Sequence, residues 1–325
     1  MSGVYRLTEI EGKGLACIAT TDIKKGSLIL SENPQMPADA EAETMGSSKW
    51  IKILSKSFNK MSKADQLEYM RFKNKCSWII DKNLGLKSKI GQIEKDSGKA
   101  EEIFQICCIY VSYRMNDGFR IKVSGIKHSC QPNAVQLHKS IRLYEVRAIA
   151  NIKSGQEINL NYIDDPFCGF RNRKYRQNSL FYRWIFHCAC DLCENDVDDA
   201  NAYQTFIQDA EKLTIDRQLA LKAGFPLGPL YYSLENCRKE VICYKQLYKA
   251  GKSQTIQPYF LYSILDRGFF TAAFGYQMYK AADLKIDAMN FAKTAEKFGK
   301  FLRNEIVTKG NPNYYNLENL QRCGR

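Results

Sequence analysis

Three short stretches of the 325-residue chain decide the fold. Residues 126–133 read Ile-Lys-His-Ser-Cys-Gln-Pro-Asn, residues 155–162 read Gly-Gln-Glu-Ile-Asn-Leu-Asn-Tyr, and residues 186–193 read Phe-His-Cys-Ala-Cys-Asp-Leu-Cys. The last stretch places three thiols within six residues, and the first supplies another. We therefore expect residues 126–193 to enclose a metal site and an active site.

The cysteine spacing predicts one zinc ion. Zinc prefers four ligands in a tetrahedron, and three closely spaced thiolates can share one such ion. The three thiols are those of Cys188, Cys190 and Cys193. Cys130 is the preferred fourth ligand because Pro132 beside it indicates a rigid turn, while His187 and Cys168 are the alternatives. Four sulfur ligands leave no open coordination position, so the expected ion is structural rather than catalytic.

The composition favours an intracellular protein with acidic partners. The formal charge is +13, which suits nucleic acid, nucleosomes or acidic protein surfaces, although scattered lysines also make an ordinary solvated surface. No apolar segment of signal-peptide or membrane-spanning length is present, so we expect a cytoplasmic and/or nuclear protein without membrane contact. In a reducing compartment the twelve cysteines are free thiols or metal ligands rather than disulfides.

Hydrophobic periodicity predicts an α+β protein with short strands, a helical insertion and an all-α C-terminal domain. Strands are expected over residues 3–35 and 116–163, with residues 119–123 as one of them. Gly91 and Gly98 are expected to interrupt the helical run. The expected divisions are an N-terminal strand part, a helical insertion, a core strand part, a zinc segment and a helical domain, at 1–49, 50–113, 114–165, 166–199 and 200–325.

Two polar residues in the deciding stretches are candidates for chemistry. They are His128 and Tyr162, and Tyr162 ends the strand predicted over residues 157–162. The pattern alone favours a buried, hydrogen-bonded histidine and a core tyrosine over functional roles, so those roles need further support.

The motifs resemble those of SET-domain methyltransferases. Residues 127–133 are similar to the Asn-His-Ser-Cys-x-Pro-Asn signature of that family, and residues 155–162 to its Gly-Glu-Glu-Ile…Tyr motif. Residues 188–193 resemble its post-SET zinc cluster, and residues 11–34 its opening Gly-x-Gly segment. Four motifs in the family order make the resemblance specific, and it implies a SET-type β fold.

The basic run before Phe186 and the helical C-terminus most resemble the SET-and-MYND subfamily. Residues 35–75 contain no Cys or His, so the MYND zinc module is expected to be absent.

The resemblance implies an S-adenosylmethionine-dependent protein-lysine N-methyltransferase acting on a histone or non-histone protein. Tyr162 would be the catalytic residue that orients the amine and the methyl group, and Phe186 would lie near the adenine. The implied cofactor contacts are Lys13, Gly14, Leu15, Asn116, Lys127, His128, Tyr162 and Phe186. The expected partner is a protein with a target lysine, such as a histone or another chromatin protein, and the expected state is a monomer.

Two other functions compete with this one. Lys127 stands where the family has Asn, which favours a catalytically weak or silent SET-fold scaffold that binds a protein through its helical domain. A basic zinc protein that binds nucleic acid directly is the third possibility, ranked below the others because the basic residues form no recognisable reading helix.

Overall fold

The computed structural model describes most of the chain. Two residues with expected roles, Lys13 and Asn116, lie outside the described ranges. Those ranges are residues 3–11, 14–37, 44–72, 77–114, 118–138, 143–163, 165, 168, 171–195, 204–223, 233–253, 258–281 and 283–305.

The strands are short and form several small sheets. They are β1 (Tyr5–Ile10), β2 (Gly14–Ala19), β3 (Leu28–Glu32), β4 (Met36–Pro37), β5 (Gly118–Phe119), β6 (Lys127–His128), β7 (Ala134–His138), β8 (Tyr144–Ala148) and β9 (Asn159–Leu160). The pairs β1–β2 and β4–β5 and the sheet β3–β8–β7 are antiparallel, whereas β6 and β9 are parallel. All five residues of β8 are buried, as expected for the central strand of its sheet.

The parallel pair brings two of the deciding stretches side by side. Lys127 lies opposite Asn159, and His128 lies opposite Leu160. The Ser129 backbone N–H continues the ladder by donating to the Leu160 carbonyl at 2.9 Å. Sequence positions about thirty residues apart are thereby fixed next to one another.

The described residues also form helices, most of them longer than the strands. They are α1 (Ser48–Asn59), α2 (Lys63–Met70), α3 (Ser77–Leu84), α4 (Leu86–Ile93), α5 (Ser97–Tyr113), α6 (Ile121–Ser124), α7 (Arg173–Trp184), α8 (Asp191–Glu194), α9 (Gln204–Ala223), α10 (Leu234–Ser253), α11 (Pro258–Ala281) and α12 (Lys285–Glu305). None of the helices in these ranges is long and apolar enough to cross a lipid bilayer.

Capping serines begin the first two helices. Ser47 Oγ accepts from the Trp50 N–H at 3.1 Å, and Ser62 Oγ accepts from the Asp65 N–H at 3.1 Å. Each hydroxyl satisfies a donor that has no partner within its own helix. Helix α1 then buries side chains at helical spacing, namely Trp50, Ile51, Leu54 and Phe58. The predicted helical character of residues 50–113 is confirmed for the described part.

Two local predictions are wrong. Gly91 lies inside α4 and Gly98 in the first turn of α5, so neither separates helices. Residues 119–123 are not a strand, because the pairing ends at Phe119 and helix α6 follows. The buried Glu32 carboxylate accepts two backbone N–H groups in the first turn of α6 at 3.0–3.1 Å. Glu32 therefore caps a helix that lies about ninety residues further along the chain. This cap favours a helix, although the alternation of apolar and polar residues had predicted a strand.

The long C-terminal helices share a core with the strands. The buried cluster that contains α9–α12 also contains Val135 and Leu137 of β7, and Ile149. The described residues after position 195 are helical apart from short connections. The helices therefore pack directly on the strand region, and the division at residue 200 stays a prediction.

Candidate functional site

Four cysteine side chains converge beside the parallel pair. Their Sγ atoms all lie within 4.8 Å of one another, and they belong to Cys130, Cys188, Cys190 and Cys193. The Sγ atoms of Cys130 and Cys193 are 3.6 Å apart. A tetrahedral ion with Zn–S bonds of about 2.3 Å separates its sulfurs by roughly 3.8 Å. The donor set and its spacing therefore fit one zinc ion.

Hydrogen bonds within the cluster favour a thiolate at one of the four sulfurs. Those from the thiols of Cys130, Cys188 and Cys193 hold the pKa of Cys190 far below its ordinary value, whereas the pKa of Cys130 and that of Cys188 are raised. Thiolate is the form that binds a metal, so binding of a cation would release the protons that remain on the cluster.

The two alternative ligands lie outside the group of four. His187 is exposed, and its ring stacks on Phe181 with centroids 5.2 Å apart. Cys168 is buried and forms a hydrogen bond with Cys130 that raises the pKa of the Cys130 thiol. Cys168 is thus a neighbour of the cluster rather than one of its four members.

Helix α7 holds the cysteine segment from one side. The Gln177 side chain forms two hydrogen bonds with the backbone of Cys188. Its Nε2 donates to the Cys188 carbonyl at 2.6 Å, and its Oε1 accepts from the Cys188 N–H at 2.9 Å. Arg176 is buried, and its Nη2 lies 3.9 Å from Cys193 Sγ. A guanidinium at this position stabilises the thiolate form of the sulfur.

His128 connects the cysteine cluster to Tyr162. Its Nδ1 accepts from the Tyr162 N–H at 3.0 Å, and its Nε2 lies 3.3 Å from Cys130 Sγ. An Nδ1 that accepts leaves the proton on Nε2, where it points at the sulfur. Burial lowers the pKa of His128 to about 4, which keeps the ring neutral. The geometry makes His128 a rigid link between the two parts of the site.

The Tyr162 hydroxyl is fixed by the backbone. It donates to the Ile126 carbonyl at 2.5 Å. Burial raises the pKa of Tyr162 well above its ordinary value, so the phenol stays protonated. The oxygen can then accept a hydrogen bond but cannot act as a base near neutral pH.

Aromatic rings surround Tyr162. Its ring centroid lies 5.0 Å from that of Trp184 and 5.5 Å from that of His128, and the Phe186 ring lies 6.0 Å from His128. Ile185 ends α7 with a φ of 56°, a left-handed conformation that is rare for a β-branched residue. This turn redirects the chain so that Phe186 faces the site.

Lys127 and Gly14 lie close together at the edge of the site. Gly14 has a φ of +75°, and among the described residues a Cβ built there would meet only Lys127 Nζ, 4.0 Å away. The same ammonium lies 5.7 Å from the centroid of the Tyr113 ring. The backbone at Gly14 is therefore open to a close approach, but a positive charge stands beside it.

Sequence reasoning missed several residues of this site. Gln177, Arg176 and Trp184 lie in or beside the basic run before Phe186, and the sequence patterns assigned no role to any of them. The Asn133 side chain also joins two stretches, since it donates to the Glu157 carbonyl and accepts from the Asn159 N–H, each at 2.9 Å. Two of these residues could have been singled out from the sequence, because Asn133 closes the first motif and Trp184 lies just before the cysteine-containing stretch 186–193. Gln177 and Arg176 offered no such signal.

Comparison with protein families identifies the class of domain. The family model described as the SET domain matches residues 14–163. The chain therefore contains a SET domain, and its fold mixes helices and strands in agreement with the expected α+β class.

The chain is similar to several curated proteins. A SET domain-containing protein of Acanthamoeba polyphaga mimivirus is 27% identical over 224 residues, which cover 63% of this chain and 80% of that protein. The protein-lysine N-trimethyltransferase SMYD5 of Mus musculus is 31% identical over 118 residues, which cover 36% of this chain and only 26% of that protein. The chain thus spans about a quarter of the SMYD5 length.

One solved structure aligns along nearly the whole chain. The structure of Rubisco LSMT bound to AdoMet covers 98% of this chain and 95% of its own, with 12% identity and a TM-score of 0.36. A TM-score of this size does not establish a shared fold.

Proposed function

We propose that the chain is an S-adenosylmethionine-dependent protein-lysine N-methyltransferase. One observation carries the proposal: inside a SET domain, the β6–β9 pair places His128 and the segment leading to Tyr162 side by side. The Phe186 ring, just before the cysteine cluster in the sequence, packs against the ring of His128. Lysine methyltransferases among the similar proteins support this reaction.

Several side chains and backbone positions at this site could contact S-adenosylmethionine, which carries an adenosine, a carboxylate and a sulfonium. The residues that would line its site are Gly14, Leu15, Lys127, His128, Tyr162 and Phe186, together with Lys13 and Asn116. Two buried donors beside Tyr162, Asn161 Nδ2 and Trp184 Nε1, meet no acceptor within the described part of the chain, so a ligand acceptor would satisfy them. When bound, S-adenosylmethionine supplies an electrophilic methyl group on its sulfonium sulfur.

The residues of the chain would align and desolvate the reactants. A substrate lysine has an ordinary pKa of about 10.4 and must lose a proton before it attacks, which aromatic, water-poor surroundings favour. The Tyr162 hydrogen is committed to the Ile126 carbonyl, so the phenol oxygen remains available to accept an N–H of the amine and orient its lone pair. Catalysis would then rest on alignment rather than on proton abstraction by Tyr162.

The zinc ion would have a structural part in this function. Four thiolates fill its coordination, and the cluster joins Cys130 to the segment that carries Phe186. Binding of the metal would therefore order the wall of the pocket.

A catalytically silent scaffold is the alternative, and Lys127 favours it. Calorimetric titration of the chain with S-adenosylmethionine separates the two, since an enzyme should bind it at or below roughly millimolar concentration. Absence of binding at that concentration would exclude the enzyme. The proposed substrates are histones or other chromatin proteins. The proposed location of the chain itself is the cytoplasm and/or the nucleus.

A further inference from the structure

A buried carboxylate holds the N-terminal end of helix α6. Glu32, the last residue of β3, accepts from the Lys122 N–H at 3.1 Å and from the Val123 N–H at 3.0 Å. The side chain of Gln35, three residues later, accepts from the Ile121 N–H at 3.1 Å. The first N–H groups of a helix have no acceptor within it. The end of β3 therefore supplies partners for the first three N–H groups of α6.

The charge of Glu32 and the end of α6 depend on each other. Burial raises the pKa of Glu32, whereas the N–H groups of Val123 and Lys122 act in the opposite direction. A buried charge is costly unless hydrogen bonds replace its hydration. The α6 N–H groups thus stabilise the carboxylate, and the carboxylate in turn fixes the position of α6.

Helix α6 leads directly to the carbonyl that binds Tyr162. The turn after the helix is closed by the Ile126 N–H, which donates to the Val123 carbonyl at 3.0 Å. The Ile126 carbonyl then accepts from the Tyr162 hydroxyl at 2.5 Å. A continuous set of hydrogen bonds therefore runs from the Glu32 carboxylate, through α6, to the Tyr162 hydroxyl.

Close packing makes residues 121–126 move as one unit. Val123 and Ile126 are fully buried in the core of the strand region. A Cβ at Gly125, between them, would lie 2.7 Å from Cδ2 of Leu7 on β1. Tightly packed interiors transmit a local displacement rather than absorb it. A shift at the start of α6 should therefore reach the Ile126 carbonyl.

We propose that Glu32 is a positioning residue for Tyr162, acting through α6 and the Ile126 carbonyl. The phenol oxygen can orient a lysine amine only where this carbonyl holds it, because the hydroxyl hydrogen is committed there. Glu32 should therefore affect the alignment of the reactants more than their binding. The inference rests on the proposed methyl transfer for its kinetic prediction and on the geometry of the chain for the rest.

The test compares Glu32→Gln with Glu145→Gln. Both glutamates are 5% exposed and lie on the paired strands β3 and β8, but Glu145 pairs with Arg147 of its own strand at 2.9 Å. Each substitution keeps the size of the side chain and removes a buried charge, so both should lower the melting temperature. Only Glu32→Gln also turns a donor NH2 group toward the N–H groups of α6.

Methyl transfer to histones gives the kinetic readout. Glu32→Gln should lower kcat roughly tenfold, less than the hundredfold expected for a misplacement of about 1 Å. KM and the affinity for S-adenosylmethionine should stay within about twofold of the wild type. Glu145→Gln should leave kcat unchanged. A loss of kcat that is equal in the two variants would reduce Glu32 to a purely structural residue and overturn the proposal.

The proton NMR resonance of the Tyr162 hydroxyl gives a readout that needs no reaction. A hydrogen bond this short places its proton far downfield, and Tyr162→Phe identifies the resonance by removing it. Glu32→Gln should move the resonance upfield or remove it, whereas Glu145→Gln should leave it in place. Gln35→Ala, which frees the Ile121 N–H, should cause a smaller upfield shift and serves as the test if Glu32→Gln does not fold.

The NMR result separates this proposal from the proposed reaction. A resonance that is absent from the wild type, or that does not move in any folded variant of Glu32 or Gln35, would overturn the positioning role. A wild type that binds S-adenosylmethionine but methylates nothing would overturn the methyl transfer, while the shift of the resonance would still decide whether Glu32 positions Tyr162.

Discussion

Lys127 is the residue that should most affect the proposed binding of the cofactor. Its ammonium lies beside the open backbone at Gly14, where the proposed cofactor would approach. S-adenosylmethionine carries a sulfonium that S-adenosylhomocysteine lacks. Like charges a few ångströms apart repel by a few kcal/mol near a protein surface, so Lys127 should discriminate against the charged cofactor.

Replacing Lys127 by Asn should therefore tighten the binding of S-adenosylmethionine by about tenfold, or about 1.4 kcal/mol. The gain should be smaller for S-adenosylhomocysteine. Calorimetry on both ligands measures the difference, and Lys82→Asn, which removes the same charge from α3, serves as the control. Weaker binding of S-adenosylmethionine by Lys127→Asn would show that the ammonium instead pairs with the carboxylate of the cofactor.

Gln177 should control metal affinity without touching the metal. Its amide fixes the Cys188 backbone on both sides, and partners that orient a ligand typically change metal affinity by 10–100-fold. Gln177→Ala should lower zinc affinity by about tenfold in competition with a chromophoric chelator. Asn178→Ala, on the exposed side of α7, should have no effect. Equal zinc affinity of Gln177→Ala and the wild type would contradict this role.

At the scale of elements, helix α11 lies between α10 and α12, and its glycines make close packing possible. A Cβ at Gly275 would lie 2.7 Å from Cys237 Sγ on α10 and 2.8 Å from the Phe291 ring on α12. Contacts this short require backbone or side-chain movement. The shared core thus depends on the absence of a side chain at this position.

Gly275→Ala should destabilise the chain by about 1–3 kcal/mol, because overpacking outweighs the gain of about 1 kcal/mol in helix propensity. Gly91→Ala is the matched control, since no atom of the part of the chain that the structure describes lies within 4 Å of its Cβ position in α4. That substitution should stabilise the chain by up to about 1 kcal/mol. Urea unfolding measures both, and a stabilising Gly275→Ala would show that the helices pack less closely than described.

At the scale of the whole molecule, the cysteine cluster joins segments that are far apart in sequence. Cys130 lies within the first motif, and the other three cysteines follow helix α7. An ion bound there stabilises only the folded chain. Metal binding and folding are therefore expected to be coupled.

Removal of zinc by a chelator should lower the melting temperature by about 6 °C, corresponding to about 4 kcal/mol when free zinc exceeds its dissociation constant a thousandfold. Calorimetry before and after chelation measures the shift, and added zinc should restore it. Cys243→Ser changes a buried cysteine outside the cluster and should keep the sensitivity to chelator. Native mass spectrometry that finds no zinc would contradict the assignment.

Local patterns predicted some features of this molecule and could not predict others. Motif order predicted the SET domain, and cysteine spacing with the neighbouring Pro132 led to the four sulfurs that the structure brings together. The strand predicted over residues 119–123 failed because its competitor, the Glu32 cap of α6, comes from a residue about ninety positions away. Gln177 and Arg176 were missed for the same reason, since their partners lie beyond the helix that carries them.

Formation of methyl-lysine is the most direct test of the proposed protein-lysine methylation. The chain, S-adenosylmethionine and histones or cell extract are incubated, and methylated lysines are identified by mass spectrometry for the wild type and for Tyr162→Phe. We expect methyl-lysine with the wild type and a rate roughly a hundredfold lower for Tyr162→Phe, since misaligned reactants lose about that much, with cofactor affinity nearly unchanged. Bound S-adenosylmethionine without any methyl-lysine, or equal rates for the two proteins, would contradict the proposed reaction.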